Sequence, residues 1–245
     1  MITFAVQKHF SVKIKEVIAA LERFAPLPLQ EGFDNAGLQL GLTDAWECSG
    51  ALLCLDVTER IVDEAVEKGC NLIVSHHPLI FHKLAHITDE NFVQRIVFRA
   101  IEQHVAIVSM HTNMDNARGG VNFKMAEKMG LRDVDFLVET RTVDGVDGAS
   151  GVMGSLPVPM AAEDFIGMLK RVFGVECVQT NELLRRPVGK VALCGGAGSF
   201  LLADAVRAGA DAFVTGEIFR EIIERECPGV RCCMTEICTN PIRCW

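Results

Sequence analysis

The residues best suited to chemistry fall at the ends of short apolar runs. Ser75-His76-His77-Pro78 follows Leu72-Ile73-Val74, and His111-Thr112-Asn113-Met114-Asp115 comes just after Val105 to Val108. A third run, Ala51 to Leu55, ends at Asp56. Ligands of open α/β sheets bind at the carboxyl ends of the strands, so parallel neighbours would bring these groups to one edge. Adjacent residues of a regular strand point to opposite faces. For His76 and His77 to serve one site, the chain must already be turning, which Pro78 favours. Imidazole nitrogen with carboxylate oxygen suits Zn²⁺, Fe²⁺ or Mn²⁺ better than Mg²⁺. A carboxylate bridging two such ions makes a dinuclear centre, which yields hydroxide at neutral pH and stabilises a leaving oxygen. The plainer alternative is that His76 and His77 only cap a strand through hydrogen bonds. It would be favoured for a lone pair of histidines; His111 and Asp115 at an equivalent strand end tip the reading to metal.

Gly195-Gly196-Ala197-Gly198 lies between an apolar run, Val191 to Cys194, and a helical pattern. Its backbone N–H groups could receive a substrate phosphate at a helix start. Equally, Gly195, Gly196 and Gly198 could form a tight turn that lets strand and helix pack closely. Glu217 ends another apolar run, Ala212 to Val214, and is a candidate for the substrate or for the outer shell of a metal site.

Elements able to position these groups are readable from periodicity. Ile14, Val17, Ile18, Leu21 and Phe24 repeat at helical spacing after Ser11, and Pro26 and Pro28 stop the helix. Thr58 can cap a helix with Ile61, Val62, Ala65 and Val66 inward, ended by Gly69. A third helix is expected around Phe92 to Ile101, a fourth from Phe165 to Phe173 ended by Gly174, and a fifth over Leu201 to Ala208. Strands alternating with helices imply an α/β fold with a largely parallel sheet. Residues 141–156, with four glycines, read as a turn-rich connection. The expected domains are therefore 1–135, carrying both histidine motifs, and 136–245, carrying the glycine cluster.

The bulk composition narrows the class. The chain has 245 residues, 24 basic and 32 acidic, for a formal charge of -8. That balance argues against bulk nucleic-acid binding, which rests on basic phosphate contacts. No apolar run approaches the ~20 residues needed to span a bilayer. Phe4–Val6 is too short for a signal core, so a cytoplasmic protein with reduced thiols is expected. Ten cysteines are present, and five of them crowd residues 227–245, without C-x-x-C spacing.

The motifs carry a resemblance. Ser75 to Phe81 and Ser109 to Asp115 look like the two amino-terminal signatures of the NGG-interacting-factor-three-like family. Its bacterial members often bear the label GTP cyclohydrolase I type 2 homologue. Asp34 to Gln39, Leu55 to Thr58, Cys194 to Ser199 and Phe213 to Glu217 resemble that family too, in sequence order. The resemblance implies two related α/β domains, with a dinuclear metal site in the cleft between them, and assembly into toroidal hexamers. It implies that His76 and His77 each bind one ion, that Asp115 is a carboxylate ligand, and that His111 lies beside the metals. The family closes its site with a His-x-x-x-Glu motif. Here the matching residues are Cys232 and Glu236, so a cysteine stands where the family has histidine. A thiolate can replace imidazole on zinc. Cys232 as a ligand, the loss of one metal position, and an altered reading frame in the tail are equal alternatives.

The implied function is a hydrolase-like protein that uses two divalent ions on a nucleotide, phosphoester or related small substrate. His111, with an unperturbed pKa of ~6.5, is the candidate general acid or base. The second hypothesis is a non-catalytic metal-binding scaffold or regulatory protein, and the third an inactive relative.

Overall fold

The computed structural model describes residues 5–6, 12–181, 185–217 and 231–235. The chain divides into two compact units, Met1–Met114 and Asp115–Trp245. Residues 115–135, expected in the first domain, group with the second. The reason is packing: Met125 and Ala126 are buried in the second unit's core, and Arg132–Phe136 pairs with Val152–Met160.

In the first unit the strands are β1 (Ala5–Val6), β2 (Gly37–Leu40), β3 (Ala51–Cys54), β4 (Leu72–Ser75) and β5 (Ala106–Ser109). Their order is β1-β3-β4-β5-β2. The middle trio is parallel, with Cys54, Ser75 and Ser109 in one row of the register; β1 and β2 pair antiparallel at the edges. Helices α1 (Ile14–Phe24), α2 (Glu59–Glu67) and α3 (Phe92–Glu102) cover both faces. Alternation along the strands explains the layering. Leu52, Ile73 and Ile107 pack with Ile61 and Val62 of α2 and Ile96 and Val97 of α3. Leu72, Ala106 and Val108 pack with Ile14 and Ile18 of α1. Each of the larger buried aliphatic side chains contributes about 1.5–3 kcal/mol. The Thr58 side chain accepts from the Ile61 N–H at 3.3 Å, capping α2 as its sequence suggests. Ser11 lies outside the described residues.

The second unit starts within the short helix α4 (Thr112–Asn116) and continues through α5 (Val121–Lys128). Its strands are β6 (Arg132–Phe136), β7 (Arg141–Val143), β8 (Val146–Gly148), β9 (Val152–Met160), β10 (Val178–Thr180), β11 (Val188–Cys194), β12 (Ala212–Thr215) and β13 (Arg231–Thr235). Helices α6 (Ala162–Phe173) and α7 (Leu202–Arg207) complete it. Residues 141–156 are thus not a mere connection. Asp144 and Gly145, with φ of 50° and 80°, turn the hairpin β7–β8, and β9 follows at once. The main sheet runs β10-β13-β12-β11-β9-β6. Phe165 and Leu169 of α6 pack on Val191, Leu193 and Val214, while Leu202 and Ala205 of α7 pack on Ala192 and Phe213.

The two sheets share one topology. A parallel trio, β3-β4-β5 or β11-β12-β13, is flanked by an antiparallel strand beside its first member and another beside its last. A helix links the two flanking strands in each unit (α1 or α6), and a helix links the first two parallel strands (α2 or α7). The units are related α/β folds by connectivity, not only by composition.

Candidate metal centre

His76 and His77 leave the end of β4 as the strand breaks. Their N–H groups donate to the carbonyls of Cys54 and Leu55, at 3.1 and 3.0 Å. Two buried serines clamp the turn: the Ser75 hydroxyl donates to the His77 carbonyl at 2.8 Å, and the Ser109 hydroxyl to the His76 carbonyl at 2.7 Å. The strand alternation is lost, and both imidazoles come together, with ring centroids 5.0 Å apart. His111 follows β5 by two residues, its ring 5.2 Å from His76 and 5.6 Å from His77. Each of the three offers one ligand atom, and these atoms lie within 4.8 Å of one another.

The hydrogen bonds on the other side of each ring fix its tautomer. His76 Nδ1 lies 2.9 Å from the Met110 carbonyl, which can only accept, so Nδ1 carries the proton. His77 Nδ1 lies 2.8 Å from Asp56 Oδ1, and His111 Nδ1 lies 2.8 Å from Asp34 Oδ1. Each ring thus turns its Nδ1 toward an acceptor, an arrangement typical of metal-binding histidines held from behind. Burial, and then the neighbouring His111 and His77, push the His76 imidazole down to about 4, so it is neutral at physiological pH. Asp34 is the opposite case. Burial raises its carboxyl, but hydrogen bonds from His111 and Thr112 outweigh burial and bring it down to about 2. Its side chain is fully buried. Its Oδ2 accepts from the Thr112 N–H at 3.0 Å and from the Thr112 hydroxyl. The three imidazoles, held from behind by a carbonyl and two carboxylates, could therefore hold a metal ion.

Cys54, in the row below the histidines, is no thiolate: burial, then Asp56 and Glu64, push its thiol up to about 12.

The remaining expected residues lie in the second unit. Asp115 is half-buried on α4, and its carbonyl accepts from Asn122 Nδ2 at 3.0 Å. The glycine turn is closely packed. Gly195 N–H donates to Asn122 Oδ1 at 2.8 Å, and Gly198 N–H to Thr215 Oγ1 at 2.9 Å. The Gly196 carbonyl accepts from the N–H groups of Gly216 and Glu217, at 2.9 and 3.2 Å. A Cβ on Gly198 would lie 2.6 Å from Cys194 Cβ. These contacts match the tight-turn alternative, with two of the loop's N–H groups already engaged. Glu217 is exposed just after β12. Cys232 lies on β13 opposite Phe213. Glu236 lies outside the described residues.

Four residues hold the histidines, and the sequence signals them unequally. Asp34 comes from a loop 77 residues before His111 and has no spacing signal; Asp56 was visible only as a strand end. Ser75 and Ser109 were readable, since each directly precedes or lies two residues before a histidine at a strand end.

The profile of the Duf34/NIF3 (NGG1p interacting factor 3) family matches residues 12–227. The chain belongs to that family. A Clostridium perfringens member named GTP cyclohydrolase 1 type 2 homolog is 33% identical over 206 residues, covering 84% of this chain and 78% of the relative. A Halalkalibacterium halodurans relative of the same name is 40% identical over 126 residues, 51% of this chain and 34% of its own length. Among solved structures, a Staphylococcus aureus protein has a TM-score of 0.82 at 28% identity, covering 92% of this chain and 86% of that one. A Bacillus cereus protein related to NIF3 has a TM-score of 0.83 at 23% identity, covering 92% and 88%, a likeness of fold. Among the described residues, no helix of this NIF3-family chain is long and apolar enough to cross a membrane.

Proposed function

We propose that this NIF3-family chain is a divalent-metal-dependent hydrolase-like protein acting on a nucleotide, phosphoester or related small substrate. The observation that carries the proposal is the convergence of three imidazoles whose Nδ1 atoms all face acceptors. In this reading His76 and His77 hold the ions, joined by Asp115 and by Cys232 and Glu236 near the carboxyl end. Zinc, iron or manganese suits that set better than magnesium. Bound there, a divalent ion supplies Lewis acidity, polarising the bond to be broken and acidifying water.

The chain's own groups do the rest. His111, oriented by the Asp34 carboxylate, takes or gives a proton at Nε2 while Nδ1–H stays on Asp34. Asp56 holds the His77 ring in the ligand orientation. The turn Gly195–Gly198 sets the position of Glu217 through the Gly196 carbonyl, and Glu217 meets the substrate. The name shared by the relatives favours a nucleotide among the substrate classes. The departure from the family motif at Cys232 favours a second reading, a scaffold that binds metal without turnover. Assembly into a homo-oligomer, a hexamer by resemblance, is part of the proposal.

The test is metal content per untagged chain by elemental mass spectrometry, followed by turnover of a nucleotide and phosphoester panel. About two ions per chain with turnover that His76→Ala/His77→Ala abolishes is expected for a dinuclear centre. Bound metal without turnover would select the scaffold, and a metal-free chain would sink both.

A further inference from the structure

Phe81 stands beside the imidazole cluster and Phe33 directly precedes Asp34, which holds His111; neither side chain is part of the core. Phe81 is 40% exposed and Phe33 is 64% exposed. Both sit on loops that are firmly held. The loop after His77 buries Leu79 in the core and turns Phe81 outward. Ile80, the residue before Phe81, is gripped through both backbone groups. Its carbonyl accepts from Asn35 Nδ2 at 2.6 Å, and its N–H donates to Gln39 Oε1 at 3.1 Å. Phe33 directly precedes Asp34, the carboxylate that holds His111. The Phe81 ring stands edge-to-face with His111 at 6.4 Å and with His82 at 5.2 Å.

Exposed aromatic surface on pre-organised loops beside a polar cluster marks a place where a ligand replaces water. A flat ring gains more from such a surface than an aliphatic group of the same size, because aromatic pairs add to simple burial. The held loops mean that little ordering is needed on binding. We propose that Phe81, with Phe33, selects a planar aromatic ring in the substrate, one that carries an anionic group directed at the imidazole cluster. This rests on the metal-centre reading for the anionic group; the ring preference rests on the two phenylalanines alone.

The test uses the full chain loaded with cobalt and two probes of equal charge and carbon count, benzoate and cyclohexanecarboxylate. Cobalt stoichiometry is measured first. Affinities are then read from the cobalt absorption bands and, independently of metal, from saturation-transfer NMR on loaded and metal-stripped chain. Benzoate should bind about two- to tenfold more tightly, the range expected for an aromatic pair. Phe81→Leu, which keeps apolar bulk, should remove most of that preference without changing cobalt stoichiometry, and Phe33→Leu should reduce it. Equal affinity for the two probes in the unmodified chain, or a preference that survives both substitutions, overturns the proposal. Failure to load cobalt overturns the metal reading instead, and the NMR comparison still decides the ring preference.

Discussion

Replacing Asp34 by asparagine tests the link between the fold and the metal centre. The Asp34 carboxylate is fully buried and accepts from His111 Nδ1, from the Thr112 N–H and from the Thr112 hydroxyl. Its carboxyl is lowered from 3.8 to about 2. That depression corresponds to about 2.5 kcal/mol of folding free energy. Because the folded value is the lower one, the contribution is complete above about pH 4 and is lost as pH falls through about 2. An asparagine amide keeps one acceptor for Thr112 but turns N–H toward the His111 Nδ1–H. Two donors then face each other, so His111 loses the bond or moves its proton to Nε2, where the proposed proton transfer takes place. Turnover of the metal-loaded chain should fall about 100-fold or more, as when a general acid or base is mispositioned. Urea denaturation of the metal-stripped chain should show Asp34→Asn about 2–3 kcal/mol less stable at neutral pH, with the gap narrowing toward about pH 2. Turnover of the metal-loaded chain supplies the second readout. A variant within about 0.5 kcal/mol of the unmodified chain, with unchanged turnover, would refute the reasoning.

The His76 imidazole, at about 4 in the fold against 6.5 in the unfolded chain, gives a second pH signature. The unfolded state takes up the proton first, so stability is full above about pH 6.5 and falls by on the order of 3 kcal/mol as pH drops toward 4. His76→Gln should flatten that slope in denaturation curves of metal-free protein; an unchanged slope would assign it elsewhere. Gly198→Ala forces a Cβ to 2.6 Å from Cys194 Cβ and 2.9 Å from Thr215 Oγ1, and should cost about 1–3 kcal/mol. Gly32→Ala, with nothing within 4 Å, should stay within about 0.5 kcal/mol, both variants being read by urea denaturation. Phe165→Ala empties a fully buried position in the second unit and should cost about 3–5 kcal/mol by urea denaturation.

Helices α1, α2, α3, α6 and α7 were legible because each carries an apolar stripe at helical spacing. Five of the six parallel strands among the described residues were legible as short apolar runs between them; β13, Arg231–Thr235, was not, since it carries no run of aliphatic residues. The other strands that escaped were antiparallel. Strand β9 contains Gly154, Pro157 and Pro159, all of which read as breakers. Both prolines fall where the pairing with β11 shifts register, between Ser155 and Met160, so no regular ladder bond is asked of them. Gly154 is small because β6 approaches it: a Cβ there would lie 3.0 Å from the Arg132 carbonyl. The Asp144-Gly145 hairpin signal was present and was absorbed into a loop. At the candidate site, His76, His77 and His111 could be placed together from strand-end reasoning alone. Asp34 could not, since its partnership with His111 exists only after a distant loop folds back on the sheet edge.

The shared topology of the two units puts equivalent positions at the end of each parallel trio. Align the register rows, Cys54-Ser75-Ser109 with Cys194-Thr215-Met234, and step two residues onward. The first unit gives Asp56, His77 and His111; the second gives Gly196, Glu217 and, by count, Glu236. The first row thus carries two imidazoles and a carboxylate, and the second a glycine and, in sequence, two carboxylates. One topology serves as the same shelf twice, and what each shelf can bind is set by the residues two places past its strands rather than by the strands themselves.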